Sequence, residues 1–71
     1  MNRFLRYSLD NQRKIRMMLM LDGAILQKNA VVLSLTDTQA TLKLGAKKAP
    51  VTVALADILS CDYARGDHGE A

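Results

Sequence analysis

The chain has 71 residues, of which 49% are apolar and 4% aromatic, and a formal net charge of +3; this length supports one small core and excludes two. Cys61 is the only cysteine, which excludes a disulfide-stapled secreted scaffold and suits a reducing cytosol. No signal-peptide core and no apolar run long enough to span a bilayer is present, so a cytoplasmic protein without membrane partners is expected. The charge is unevenly spread: residues 1–48 hold nine Lys/Arg against Asp10, Asp22 and Asp37, a balance of +6, and residues 49–71 hold Arg65 against Asp57, Asp62, Asp67 and Glu70, a balance of −3. A basic body with an acidic tail follows.

Residues 1–12 fit two readings. Phe4, Leu5 and Leu9 share one face of a short helix, whereas Phe4 to Leu9 followed by Asp10-Asn11 fits a strand and turn. Tyr7, the scarcity of good helix formers and the Asp-Asn pair favour the strand. From Arg13 to Leu21, Ile15, Met17, Leu19 and Leu21 fall on one side, while Arg16, Met18 and Met20 on the other are polar only at the first position. A strand apolar on both faces is covered on both, so the N-terminal segment or another subunit is expected over Met18 and Met20. Asp22-Gly23 then signals a tight hairpin, because Gly adopts positive φ without steric cost.

The second strand begins at Ile25-Leu26, passes through Gln27-Lys28-Asn29 and resumes with Val31, Leu33 and Leu35 on a single face. Such an interrupted long strand suits a barrel corner, with the bend placed near Lys28-Asn29. After a Thr36-Asp37-Thr38 turn, Ala40, Leu42 and Leu44 alternate with Thr41 and Lys43, and beyond a Gly45–Pro50 loop Val51, Val53 and Leu55 alternate with Thr52 and Ala54. Ala56 to Leu59 breaks the alternation and reads as one 3₁₀ turn capped by Asp57, before a last strand over Ser60–Tyr63. Residues 65–71 offer nothing that packs and read as a disordered acidic tail behind a single domain over residues 1–64. The fold class is therefore all-β: a small, strongly bent five-stranded antiparallel barrel.

Three runs carry a family resemblance: Met17-Met18-Leu19-Met20-Leu21-Asp22-Gly23, Val31-Val32-Leu33-Ser34-Leu35-Thr36-Asp37, and Val53-Ala54-Leu55-Ala56-Asp57-Ile58-Leu59. Together they resemble the Sm-like or SH3-like small barrel, as in the bacterial Sm-like RNA chaperones (the Hfq family) and the WYL and YolD-like domains of bacterial regulators. The likeness is one of hydrophobic pattern and turns over residues 13–64. The tripeptide that names the WYL domain is absent, as is a Tyr-Lys-His run before Ile58. The resemblance implies the fold, and fold does not fix function.

Arg13, Lys14, Arg16, Lys28, Lys47 and Lys48 are the candidate nucleic-acid-binding residues, a set of cations able to neutralise phosphates. With so few aromatics, such binding is phosphate-led rather than stacked. Met18 and Met20 are candidate interface residues, since thioethers make adaptable contact surfaces. Asp57, Asp62, Asp67, His68 and Glu70 match no metal-loop spacing, so no metal is expected, nor any cofactor. Cys61 lies in an apolar-flanked strand with His68 in the tail, a poor nucleophile–base pair, and no catalytic residue is expected. The reading is a small regulatory binding module for RNA or single-stranded DNA that self-associates. The alternative is a protein-interaction or structural module working through its Met-rich face.

Overall fold

The first hairpin forms where the sequence places it. In the computed structural model, which describes residues 2–45 and 49–69, β1 (Ile15–Leu21) and β2 (Ala24–Leu35) pair antiparallel with Leu21 opposite Ala24. Asp22 and Gly23 between them have φ of 52° and 78°, the two positive values of a type I′ turn. β3 (Gln39–Leu44), β4 (Val51–Ala54), a 3₁₀ turn (Leu55–Asp57) and β5 (Ile58–Tyr63) follow. All pairings are antiparallel, in the order β4-β3-β2-β1-β5.

That order makes β4 and β5 the two edges of one unclosed sheet, yet only the 3₁₀ turn separates them in sequence. Five flat strands would hold their edges about 19 Å apart at a spacing of about 4.8 Å. The four peptide steps from Ala54 to Ile58 span at most about 15 Å, so the sheet has to curl. β2 supplies the curl by changing partners: Ala24 to Ala30 pair with β1, and Ala30 to Leu35 pair with β3. The handover falls at Ala30, just beyond the expected bend at Lys28-Asn29, where a small buried side chain lets strands approach on both sides.

The concave side holds the core: Ile15, Met17 and Leu19 from β1, Ala30 and Val32 from β2, Ala40, Leu42 and Leu44 from β3, Val53, and Ile58. The face expected for Val31, Leu33 and Leu35 is a correction. Val32 is buried and Leu33 is 38% exposed, because the register with β3 slips between Val32 and Ser34. Leu33 is the extra residue of that β-bulge, which breaks the alternation on which the expectation rested. The 3₁₀ turn arrives a residue early, and Asp57 lies inside it rather than at its N-cap, Ala54, where no side-chain capping bond forms.

The N-terminal segment is a helix, not a strand: α1 spans Asn2–Asn11. Leu5 and Ser8 are fully buried and Phe4, Tyr7 and Leu9 pack beside them, an i, i+3, i+4 stripe in which a serine conceals the pattern. Burial of this stripe outweighs the weak helix propensities. Its C-terminus is closed by side chains: Asn11 Nδ2 donates to the Tyr7 carbonyl (3.0 Å) and Gln12 Nε2 to the Leu9 carbonyl (2.8 Å), with Gln12 left-handed at φ 53°.

Ser8 ties the helix to the sheet. The β1–β2 register, with Ile15 opposite Ala30, would next pair Arg13 with Val32, but β1 has not yet begun. The Ser8 hydroxyl fills the gap, accepting from the Val32 N–H (2.9 Å) and donating to the Arg13 carbonyl (2.5 Å). Gln12 Nε2 also donates to the Val32 carbonyl at 3.3 Å. Because α1 joins the cluster of Ile15, Met17 and Leu19, it lies away from Met18 and Met20, so of the two covers expected for them, the N-terminal segment or another subunit, the first is not the one.

Ser8→Ala strands a buried N–H and a carbonyl, so it should lower the unfolding free energy by about 1–3 kcal/mol in urea titration. A loss below about 0.5 kcal/mol would show that water or local adjustment replaces the bridge.

Candidate functional site

The site is a cleft where the chain enters β1 and leaves β5. β1 and β5 are antiparallel with Ile15 opposite Tyr63, so the segment entering β1 and the segment leaving β5 run side by side. Between them lies a cavity of about 710 Å³ lined by Gln12, Arg13, Lys14, Arg65, Asp67 and His68, with Ala64 and Gly66. Arg13, Lys14, Arg65 and His68 thus share one cavity with a single carboxylate, Asp67.

The tail segment that completes the cleft is held by Tyr7. Its hydroxyl hydrogen-bonds the Asp67 carboxylate at 2.8 and 3.0 Å to the two oxygens. Asp67 Oδ1 also accepts from the Gly69 N–H at 2.9 Å, and the Asp67 N–H bonds the Ala64 carbonyl at 2.9 Å. Arg13 Nη1 stands 3.9 Å from Asp67 Oδ2. Tyr63 packs edge-on against Phe4 (4.9 Å between centroids) and Tyr7 (5.2 Å), so all three aromatic residues of the chain are engaged with one another. Gly69, at φ +82°, closes against the Tyr63 ring, where a Cβ would come within 2.7 Å of ring atoms. The sequence offers nothing in this tail that packs; the structure supplies the partner in α1.

These contacts set the local charge. The Gly69 N–H and then the Tyr7 hydroxyl hold the Asp67 carboxyl below its ordinary pKa, and desolvation with the bond to Asp67 raises that of Tyr7. Both directions describe a neutral phenol donating to an ionised carboxylate. With its oxygens so occupied, Asp67 is a weak competitor for the cleft's cations. Among the described residues, the ion pairs are Arg13–Asp67 and Arg16–Asp62 (3.4 Å), leaving Lys14 and Arg65 outside any ion pair.

Of the candidate phosphate-binding residues, Arg13 and Lys14 come together here. Arg16 is on β1, opposite Asp62 of β5, with which it pairs. Lys28 is opposite Met17 in the register, one position out of step with Arg16, and so on the other face. Lys47 and Lys48 lie outside the described residues. Met18 is half-buried and Met20 is exposed on the convex face. Arg65 and His68 escaped the sequence reading because they are about fifty residues from Arg13 and Lys14. Recognition that the first and last strands pair would have found them. Burial pushes the Cys61 thiol up, away from the thiolate form, and among the described residues no three His, Cys, Asp or Glu side chains cluster. Among the same residues no helix is long and apolar enough to cross a membrane.

Compared with protein-family models, curated proteins and solved structures, the chain matches none of them. What stands on its own geometry is a small, curled, antiparallel five-stranded domain with an N-terminal helix and a basic cleft at one end.

A carboxylate with a lowered pKa contributes stability that is complete above the ordinary value and vanishes as pH falls through the folded one. Near-UV circular dichroism of the tyrosines should therefore hold steady from neutrality to about pH 4 and change below it, while the far-UV strand signal persists. Asp67→Asn should show the acid-type tyrosine signal already at neutral pH; a wild-type spectrum in that variant would refute the docking.

Proposed function

We propose that this protein is a small binding module that holds the phosphate backbone of RNA or single-stranded DNA in the cleft between the α1–β1 turn and the C-terminal turn. The supporting observation is that Lys14, Arg65, Arg13 and His68 line one cavity with a single carboxylate, Asp67, whose oxygens already accept from Tyr7 and Gly69. Phosphate is the ligand chemistry that such a set serves: ammonium and guanidinium groups release counterions from the backbone, and an imidazole N–H adds a directed donor. Base stacking contributes little, because Phe4, Tyr7 and Tyr63 are spent on one another. The module would carry regulatory contacts in a reducing cytosol, which its lone thiol tolerates.

With about three phosphates neutralised, the affinity for a short single strand should scale with salt at a logarithmic slope of about −2. It should therefore fall about twentyfold between 50 and 200 mM salt. Fluorescence anisotropy with a labelled oligonucleotide measures this. Lys14→Glu with Arg65→Glu should abolish binding, while Lys28→Glu on the other face should leave it nearly intact. Absence of binding by the wild-type chain at low salt, or equal loss in all variants, would rule the cleft out.

A further inference from the structure

The charge of the cleft has a size as well as a sign. Arg13 stands 3.9 Å from the Asp67 carboxylate and is balanced by it. Lys14 and Arg65 are exposed and lie outside the ion pairs formed among the described residues. Three cations against one carboxylate thus leave the cavity at +2, with the His68 imidazole beside them as a further hydrogen-bonding group. The lining is also compact along the chain, drawn from residues 12–14 and 64–68 alone.

On both sides of those stretches the basic charge stops. Asp10 is exposed in the last turn of α1, two residues before the lining begins. Towards the sheet, the next charged groups are the cross-strand pair Arg16 and Asp62, which cancel each other at 3.4 Å and leave the Asp62 side chain 61% exposed. The other described cations are placed elsewhere. Lys28 is on the opposite face and Lys43 is on β3, two strands from β1. Arg3 lies over the Phe4 ring at 4.9 Å, and Arg6 lines a separate depression with Asp37. A strand laid along a surface through its backbone follows a positively charged groove that continues past the first contact. Among the described residues this cleft has no such continuation, and carboxylates flank it instead.

We infer, resting on the phosphate reading above and narrowing it, that the cleft takes a phosphomonoester, at the end of a strand or on a free mononucleotide, in preference to the diesters within a strand. A monoester carries about −1.5 to −2 charge at neutral pH and three strong acceptor oxygens. That charge matches Lys14 and Arg65 together, with an oxygen left for an imidazole N–H. A diester carries a single charge and leaves one of the two cations unmatched.

Fluorescence anisotropy of the full chain at low salt tests this, using a short oligonucleotide labelled at one end. The other end carries a hydroxyl, a phosphate or the methyl ester of that phosphate, and both the 5′ and the 3′ phosphates are compared. Titration calorimetry with adenosine 5′-monophosphate supplies the free-phosphate arm, and the tightest of the three monoesters identifies the source. A strand ending in the favoured phosphate should bind about tenfold more tightly than its hydroxyl-ended counterpart, since further charge a few ångströms from two cations is worth that much even in water. The methyl ester should lose most of this gain. Lys14→Gln and Arg65→Gln, both at exposed positions, should each cut the ratio of phosphate-ended to hydroxyl-ended affinity to about threefold or less, whereas Lys28→Gln should leave the ratio unchanged. Equal affinity for hydroxyl, phosphate and methyl ester, with no mononucleotide bound, overturns the inference and leaves strand binding standing. A preference that survives both cleft substitutions overturns it as well. If the mononucleotide binds and no strand does, the monoester is retained and the strand reading falls; if nothing binds, both fall.

Discussion

One hydroxyl group lets the helix and sheet act as a single body. Ser8 enters the β1–β2 ladder at the position where Arg13 and Val32 would have bonded directly, taking the N–H of one and serving the carbonyl of the other. A hydroxyl can do this because it donates and accepts at the same atom. An apolar residue there would pack but leave two buried backbone groups unpaired, and a larger polar residue would spread strands that are meant to converge. The bridge fixes where α1 sits, and with it the position of Leu5 over the core and of Tyr7 at its edge. Without it the chain would have a curled ribbon of strands and a detached amphipathic segment.

The consequences run outward from that anchor. Tyr7, held by the helix, reaches Asp67, and Tyr63 fills the space between Tyr7 and Phe4. The C-terminal turn is thereby laid against the entry to β1, and Arg65 and His68 face Arg13 and Lys14. The proposed phosphate site is thus a product of tertiary structure: its cations come from the two ends of the chain, and the carboxylate among them serves as a tether. Charge that reads as an acidic tail in sequence becomes the fastening for a basic cleft.

The curl of the sheet separates the two candidate surfaces. A three-residue connection between opposite edges obliges five strands to bend, and bending is taken up at bulges opposite Leu42–Thr41 and Met18–Leu19. Each bulge ejects one leucine, Leu33 or Leu59, from the core. Leu33 and Leu59 are thereby left exposed, while Met20 and Ile25 pair across β1 and β2 on the convex side. The cleft lies at one end of β1, and Met20 with Ile25 towards the other.

Period-two patterning and turn chemistry determined most of the strands directly from sequence. Asp22-Gly23, the Ala40-Leu42-Leu44 row and the Val51-Val53 row are local signals, readable because a strand shows its two faces alternately and a tight turn needs particular residues. The same locality explains what was illegible. The α1 stripe contains Ser8, whose burial makes sense only once Val32 and Arg13 are beside it. The face taken by Val31 to Leu35 depends on a bulge set by pairing with β3. The partners of Lys14 lie at the far end of the chain. Alternation is a property of neighbours along the backbone and can be read there; which distant groups satisfy a buried hydroxyl, absorb a bend or gather charge is decided only when the sheet closes distance that the sequence leaves open.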